Sequence, residues 1–325
     1  MWRTAVGIVC LALALFINMY SRKQKLPIPR PGPADDPAGS LELRYREAER
    51  DFARSYLRAR GAAERRDLAN VYVFEYLKLT ADGASPPELR AAEPLLRRCL
   101  ATNPDREVRA QVGYSLARHL MDRSDRGPVR LPLERARRAA DEAAALFERV
   151  AREYGDVASF GKPFGVLAGD DLDELRHVGV GRPAPEIVGE DVDGRPLRLS
   201  DFRGKVVLLS FWAVWCPLCR GTLPYERSLV ERLRGKPFVL LGVNGDALRN
   251  RPRQLAARGE VTWRCWFDGG DNGPIARAWH VRPWPAVFLI DARGVIRYRR
   301  VRRRLDEAAL DEAIDLLVAE VGVEG

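Results

Sequence analysis

The sequence predicts an α/β domain in its C-terminal half, with a central mixed sheet flanked by helices, behind an all-α region and an N-terminal apolar segment. Three observations predict this arrangement. From residue 181 onward, β-branched apolar runs alternate with helical patterns, which is typical of a sheet covered by helices. Residues 41–157 carry apolar residues at helical spacing and almost no strand signal. The first 20 residues contain an unbroken apolar run.

These patterns divide the 325 residues into five segments. We expect a signal peptide or membrane anchor, a proline-rich linker, an α-helical repeat-like domain, a connector and the sheet domain. Their predicted bounds are 1–20, 21–40, 41–157, 158–180 and 181–325.

The N-terminal segment has the pattern of an uncleaved membrane anchor. Its apolar run extends from Ala5 to Ile17, and no small-x-small cleavage site follows it. Twenty helical residues span about 30 Å, close to the thickness of a bilayer core. Three basic residues follow the run and only Arg3 precedes it, which by charge alone favours a cytoplasmic body.

Five prolines between residues 26 and 39 predict an extended spacer behind this anchor. At ~3.1 Å per residue it would hold the body roughly 40 Å from the membrane. A disordered tail with no spacing role is the alternative.

Composition and charge exclude several classes of protein. The net charge is +9, which can attract nucleic acid or anionic lipid, but the chain has neither an aromatic-basic RNA signature nor zinc-finger spacing. We therefore expect no nucleic-acid partner. Among the five cysteines only Cys216 and Cys219 are close in sequence, which indicates one working dithiol and not a disulfide-stapled scaffold.

The helical region predicts helices that start at Pro86, Pro104 and Pro132, since proline is favoured at the first helical position. Short proline-bearing turns suggest antiparallel pairs stacked like TPR or HEAT repeats, but the starts are unevenly spaced. Two interpretations stay open, a docking surface for a partner and a passive spacer.

The dithiol lies where a buried strand meets a helix. Val206–Trp212 is a continuous apolar run, typical of a strand buried on both faces, and Pro217–Arg234 predicts a helix. Cys216 therefore falls at a helix N-terminus, where free backbone N–H groups and the helix dipole favour a thiolate. Cys219 follows one turn later and can attack a mixed disulfide. The sequence thus predicts Cys216 as nucleophile and Cys219 as resolving cysteine.

Other elements complete the predicted sheet. Asp193-Gly194 is a hairpin signal between short strands at Ile187–Asp191 and Pro196–Leu199, which places a β-hairpin at the N-terminal end of the domain. The further predicted strands are Phe238–Val243, Val261–Phe267, Ala286–Asp291 and Val295–Val301, and the further helices are Leu248–Arg258, Pro274–Trp279 and Asp306–Val321.

Four motifs in combination resemble the thioredoxin family, specifically its membrane-anchored TlpA/ResA-like branch of thiol-disulfide oxidoreductases. The resemblance covers roughly residues 179–321 and implies a thioredoxin fold. The motifs are Gly181-Arg182-Pro183-Ala184-Pro185, Leu199-Ser200-Asp201-Phe202-Arg203-Gly204-Lys205, Trp212-Ala213-Val214-Trp215-Cys216-Pro217-Leu218-Cys219-Arg220, and Pro285-Ala286-Val287-Phe288-Leu289-Ile290-Asp291 with Gly294.

The resemblance implies roles for residues around the dithiol. Pro285 corresponds to the family's cis-proline, which leaves the backbone of Trp284 free to pair with a substrate strand, and Trp215 shields the thiol pair. Pro217 and Leu218, inside the motif, match neither the strongest reductants nor the strongest oxidants, which favours a moderately reducing protein.

The resemblance also implies partners and a location. The partners are protein disulfide or dithiol substrates and an upstream electron donor, membrane-bound or soluble. No cofactor is implied beyond the Cys216–Cys219 disulfide. The body of the chain faces the periplasm or cell exterior, which we favour over the charge-based orientation.

Two positions depart from the family. Where many thioredoxins have a buried carboxylate that accepts the proton of the resolving thiol, this chain has Ser210, and the lysine often paired with it corresponds to about Gly242. We therefore expect proton removal from Cys219 to depend on water or on the hydroxyl, with a slower or more alkaline resolving step.

The remaining candidates have structural interpretations. Cys265 lies on the apolar face of a strand and is predicted to be buried and inert. His177 and His280 are single histidines, and no metal site is predicted. The arginine run after residue 296 suits an acidic partner or a charged edge strand equally.

Two alternative functions remain. A peroxiredoxin-type peroxidase would have Thr or Ser three residues before its cysteine and Pro seven before it, but those positions hold Ala213 and Leu209. The other is a helical-repeat interaction protein with a redox-inactive thioredoxin-like domain, which the intact Cys-x-x-Cys disfavours.

Overall fold

The computed structural model describes residues 86–103, 105–125, 132–159, 161–282, 284–301 and 307–324. The predicted anchor, the proline-rich linker and the first part of the helical region lie outside the described residues. Among the helices that are described, none is both long enough and apolar enough to cross a membrane.

The chain separates into two compact units. One contains residues 1–119 and 149–167, and the other contains 120–148 and 168–325. The five-segment division of the sequence stays a prediction.

In the described chain four helices and a small ladder precede the hairpin. They are α1 (Pro86–Thr102), α2 (Arg106–Asp125), α3 (Leu133–Tyr154), β1 (Ala158–Ser159) paired antiparallel with β2 (Lys162–Pro163), and α4 (Phe164–Val178). Helix α1 begins at Pro86, as predicted. Helix α2 begins later than predicted, because Asp105 Oδ1 accepts the backbone N–H of Glu107 at 2.9 Å and caps it. A repeat architecture stays a prediction.

The thioredoxin-like part follows the predicted order of elements. These are β3 (Val188–Glu190), β4 (Pro196–Arg198), a 3₁₀ turn (Leu199–Phe202), β5 (Val206–Trp212), α5 (Pro217–Arg232), β6 (Phe238–Asn244), α6 (Asn250–Ala257), β7 (Cys265–Phe267), α7 (Pro274–Ala278), β8 (Ala286–Ile290), β9 (Ile296–Val301) and α8 (Glu307–Glu324). Strand β7 is shorter than predicted.

Five of these strands form one mixed sheet in the order β7-β6-β5-β8-β9. Strands β5, β6 and β7 are parallel, and β8 is antiparallel to both of its neighbours. The predicted hairpin also forms, with β3 antiparallel to β4. Its turn places Gly194 at φ 84°, a conformation that favours glycine.

Strand β5 is the centre of the sheet, and all seven of its residues are buried, as its apolar run predicts. Val207, Leu209 and Phe211 pack into one hydrophobic cluster, and Val206 and Leu208 pack into another. Trp212, at its carboxyl end, packs with Cys216 and Cys219. The carboxyl end of the strand therefore leads directly into the loop that carries the dithiol.

Strand β9 lies at an edge of the sheet, which agrees with one interpretation of the arginine run, but two of its arginines are buried. Arg299 is 2% exposed, and its Nε lies 2.6 Å from Asp125 Oδ1. Its Nη1 also lies 3.2 Å from Glu174 Oε1. Arg297 pairs with Asp291 and Glu320 in the same way. These charges are therefore matched inside the fold.

Candidate active site

The dithiol occupies the junction between β5 and α5. Cys216 caps the helix in an extended conformation (φ −93°, ψ 109°), and its Sγ accepts a hydrogen bond from the backbone N–H of Cys219 at 3.2 Å. Pro217, which has no N–H to leave unpaired, is the first helical residue. A disulfide joins Cys216 to Cys219, with their Cα atoms 5.3 Å apart. A thiolate at Cys216 would keep this N–H donor and the helix dipole as its stabilisers.

The two cysteines differ in exposure. Cys216 is 4% exposed and Cys219 is completely buried. Next to them, Leu218 is 68% exposed and Trp215 is 45% exposed. A large partner can therefore approach the first sulfur across an apolar surface, whereas the second sulfur is reached from within the protein.

A buried carboxylate that the sequence analysis did not single out fixes the loop before the dithiol. Asp246 Oδ2 accepts hydrogen bonds from the backbone N–H of Val214 and from Asn244 Nδ2, both at 2.9 Å. Asp246 and Asn244 are completely buried. Their only signal in the sequence is a polar pair at the carboxyl end of β6, the parallel neighbour of β5.

Two tryptophans stand beside the dithiol. The indole N–H of Trp215 donates to the carbonyl of Gly245 at 3.0 Å, and its ring meets that of Trp284 edge-on, with centroids 6.0 Å apart. A Cβ at residue 245 would lie 2.5 Å from the Trp284 ring, so this position needs glycine. The indole of Trp284 is held in turn by the carbonyl of Asp271 at 3.2 Å.

The peptide bond between Trp284 and Pro285 is cis, as the family resemblance implies. Trp284 packs against the cluster that contains Cys216 and Cys219. The structure thus brings together Trp215, Trp284 and the dithiol.

Ser210 has a carboxylate partner that the sequence analysis missed. Ser210 Oγ donates a hydrogen bond of 2.6 Å to Glu226 Oε1, and both residues are 1% exposed. Burial raises the pKa of Glu226 to about 7, and the Ser210 hydrogen bond opposes that rise. Helix α5 thus supplies a buried carboxylate to the hydroxyl of β5, a group that the sequence analysis did not assign.

Helix geometry explains how Glu226 reaches that position. Cys219, Leu223 and Glu226 are all buried residues of α5 at helical spacing, so they share the face that covers the sheet. Ser210 and Trp212 lie two residues apart on β5 and point to the same side. Glu226 is thus about 10 Å along the helix from Cys219. Its carboxylate is hydrogen-bonded to the Ser210 hydroxyl.

The surroundings of Gly242 explain the absence of a lysine there. A Cβ at this residue would lie 2.5 Å from Cys265 Sγ, 2.9 Å from Trp212 Nε1 and 3.2 Å from Trp263 Nε1. Cys265 is buried, as predicted, and burial raises the pKa of its thiol to about 12. Glu226 adds to that rise, so the thiol and the carboxylate are electrostatic neighbours.

His177 and His280 are not isolated, which corrects the interpretation of both as single residues. Their rings stack with centroids 5.6 Å apart, and both contact Asp173. No sequence pattern links them, because they come from elements far apart in the chain.

The sheet domain is similar to known proteins. The model of the AhpC/TSA family matches residues 180–299. The thiol-disulfide oxidoreductase ResA of Geobacillus thermodenitrificans is 35% identical over 124 residues, which cover 38% of this chain and 70% of that protein. The thiol:disulfide interchange protein DsbE of Vibrio cholerae is 38% identical over 138 residues, 41% of this chain and 71% of that protein.

A solved structure of a thiol-disulfide oxidoreductase from Bacteroides fragilis also aligns, with a TM-score of 0.38 and 23% identity. The alignment covers 42% of this chain and 99% of the Bacteroides fragilis chain.

The fold, the cysteine pair at the start of α5 and the two curated relatives agree. The chain belongs to the ResA and DsbE family of thioredoxin-like thiol-disulfide oxidoreductases.

Proposed function

We propose that the protein exchanges the Cys216/Cys219 dithiol with disulfides of protein substrates outside the cytoplasm, while an N-terminal helix anchors it in the membrane. The observation that carries the exchange is the hydrogen bond from the Cys219 N–H to Cys216 Sγ at a helix N-terminus. That bond and the greater exposure of Cys216 favour it as the attacking thiolate, with Cys219 as the resolving thiol.

In the reducing direction, the Cys216 thiolate attacks one sulfur of a substrate disulfide. A mixed disulfide forms, and the first substrate sulfur leaves as a thiolate that takes a proton from solvent. Cys219 then loses its proton and attacks Cys216 Sγ, so the Cys216–Cys219 disulfide forms and the second substrate thiol leaves. The substrate gains two electrons, and the protein loses two.

The pair of Ser210 and Glu226 accepts the proton of Cys219 in this proposal. Ser210 Oγ already donates to Glu226 Oε1, so a proton that reaches the hydroxyl can pass to the carboxylate along an existing hydrogen bond. A carboxylate with a pKa near 7 is a useful base at neutral pH because both of its protonation states are populated. The Cys265 thiol, on which Glu226 acts electrostatically, stays protonated at this pH.

Trp215, Trp284 and Pro285 form the proposed substrate contact, with Pro217 and Leu218 at its rim. Proline has no backbone N–H, so an extended peptide can pair with the neighbouring backbone of Trp284 without competition. The exposed faces of Trp215 and Leu218 add apolar surface beside Cys216. We expect the substrate to be an unfolded or extended segment that carries a disulfide.

Turnover as a reductant needs an upstream donor, membrane-bound or soluble, that returns two electrons to the Cys216–Cys219 disulfide. We propose no further cofactor. A membrane-impermeant thiol reagent should label reduced Cys216 in intact cells if the body lies outside the cytoplasm. Labelling only after lysis would reverse the proposed orientation.

Trapping tests the exchange directly. With Cys219→Ser, attack by Cys216 should continue while release of the substrate is blocked. Substrates should therefore accumulate as mixed disulfides, which an added reductant cleaves. With Cys216→Ser, the matched control, no such complexes should form. Equal activity of Cys216→Ser and the unaltered protein on a chromogenic disulfide would show that the mechanism is wrong.

The peroxidase alternative has less support. The polar position that such enzymes have three residues before the cysteine is Ala213, which is completely buried beside the dithiol. We expect peroxide consumption by the reduced protein to be no faster than that of a free thiol at equal concentration. Fast, Cys216-dependent consumption of peroxide would favour the alternative.

A further inference from the structure

A cluster of two imidazoles and one carboxylate lies on residues that the exchange mechanism does not use. His177 Nδ1 is 3.1 Å from Asp173 Oδ1, and His280 Nε2 is 3.5 Å from Asp173 Oδ2. One nitrogen from each ring and one carboxylate oxygen lie within 4.8 Å of one another. Two of the three histidines in the chain therefore contact the same carboxylate.

The backbone holds these side chains together from two elements. Asp173 and His177 are one turn apart on α4 and therefore share a face of that helix. His280 follows α7 and has a φ of 53°. Among the residues that the structure describes, every other residue with a positive φ is a glycine. That left-handed conformation is uncommon for a residue with a Cβ, so the fold keeps His280 there against its backbone preference.

The donor set matches a particular kind of ion. Two histidines and one carboxylate, with positions left for water, are a ligand set that zinc takes in proteins. Zinc–ligand bonds of about 2.1 Å place neighbouring ligand atoms about 3.4 Å apart in a tetrahedral site. The two carboxylate–imidazole distances are close to this value, although they involve different oxygens of Asp173. His177 Nδ1 also lies 2.8 Å from the backbone carbonyl oxygen of Asp173, so this ring must turn to bind the ion.

The adjustment that an ion requires falls on exposed side chains. The side chains of His177 and Asp173 are 60% and 56% exposed, so they can rotate without disturbing the core. The side chain of His280 is 16% exposed and is the fixed member of the set.

The local charge also suits a cation, since the carboxylates of Asp173 and Glu174 both interact electrostatically with His280. Arg282 is the nearby cation, and its charge is matched by Asp170 at 2.7 Å.

We propose that Asp173, His177 and His280 bind a zinc ion, with water in the remaining positions. The ion would join α4 to the segment that leads into Trp284 and Pro285. The ion pair between Arg282 and Asp170 already joins the same two elements. Zinc binding should therefore stabilise the folded protein and, in particular, the approach to the proposed substrate contact.

The test uses the full chain, purified in detergent with the Cys216–Cys219 disulfide oxidised so that the dithiol cannot bind metal. Cobalt(II) is titrated and its visible absorption recorded, zinc is then added as competitor, and thermal unfolding is measured with and without zinc. The variants are His177→Ala and His280→Asn, since asparagine tolerates a positive φ. His119→Gln, which changes the third histidine, is the matched control.

We expect a saturable cobalt spectrum without a sulfur-to-metal charge-transfer band, and its displacement by zinc. Each cluster variant should weaken binding by at least roughly 10- to 100-fold and lose the zinc-dependent rise in melting temperature, whereas His119→Gln should keep both. No saturable spectrum, a thiolate spectrum, or unchanged affinity in His177→Ala would overturn the proposal. If His280→Asn fails to fold, the exposed position 177 still decides the result.

Discussion

Ser210 Oγ donates a 2.6 Å hydrogen bond to Glu226 Oε1 within the buried layer between β5 and α5. The hydroxyl occupies the strand position where relatives of the thioredoxin family often have a carboxylate, and the carboxylate comes from the helix that carries Cys219. Both oxygens are shielded from solvent. In the proposed mechanism, the helix therefore supplies the proton acceptor that the strand position lacks.

Substitution of Glu226 by Gln should change the pH dependence of the resolving step. Glutamine keeps an oxygen that accepts from Ser210 but cannot take up a proton. We expect release from the Cys216 mixed disulfide to rise through pH 7 in the unaltered protein, because the base form of Glu226 is then populated. Glu226→Gln should lose that inflection and slow release about 100-fold at neutral pH.

The measurement is single-turnover release of a substrate thiol from the mixed disulfide between pH 5.5 and 9, a range chosen to bracket the raised pKa of Glu226. The rate of the first attack by Cys216 is the internal control and should change little. An unchanged inflection in Glu226→Gln would show that another group accepts the proton.

The same carboxylate should make stability depend on pH. Its pKa is raised from 4.5 to about 7 in the folded state, so folding favours the protonated form. Its favourable contribution is complete below about pH 4.5 and is lost as pH rises through 7. Between those limits the free energy of unfolding should fall by about 3 kcal/mol relative to Glu226→Gln.

Chemical denaturation of the oxidised protein at pH 4 and pH 8, on either side of the two pKa values, measures this difference. Glu226→Gln should be the more stable protein at pH 8, and the two should converge at pH 4. If the unaltered protein is the more stable at pH 8, another charge compensates the buried carboxylate.

The contrast between what the sequence predicts and what it misses has a physical basis. The β5 run, the hairpin at Asp193-Gly194 and the position of Cys216 are local patterns, and local patterns decide where strands, turns and helix ends lie. Glu226 could not be assigned this way, because its role depends on which face of α5 covers Ser210. The cluster of His177 and His280 depends likewise on the packing of distant elements.

Loss of the Asp246 side chain should loosen the loop before the dithiol. Asp246→Ala removes the acceptor of the Val214 N–H and leaves that donor and the Asn244 amide unpaired inside the protein. We expect a loss of about 2–3 kcal/mol in the free energy of unfolding. We also expect slower attack by Cys216, because the loop no longer fixes the start of α5. Stopped-flow reduction of a chromogenic disulfide, at a temperature where the variant is folded, separates the two effects.

Substitution of Gly245 by Ala should displace Trp284, because the new Cβ would lie 2.5 Å from its ring. We expect about 1–3 kcal/mol of destabilisation from overpacking and weaker binding of trapped substrates. Gly221→Ala is the matched control, since a Cβ there meets nothing within 4 Å and the residue lies inside α5. It should stabilise the protein by about 0.5–1 kcal/mol, as alanine does in a helix. Chemical denaturation and the yield of trapped mixed disulfides in the Cys219→Ser background report the two outcomes. Equal stability of the two variants would mean that the Trp284 ring moves freely, and its contact with Trp215 would then lose its place in the proposed substrate site.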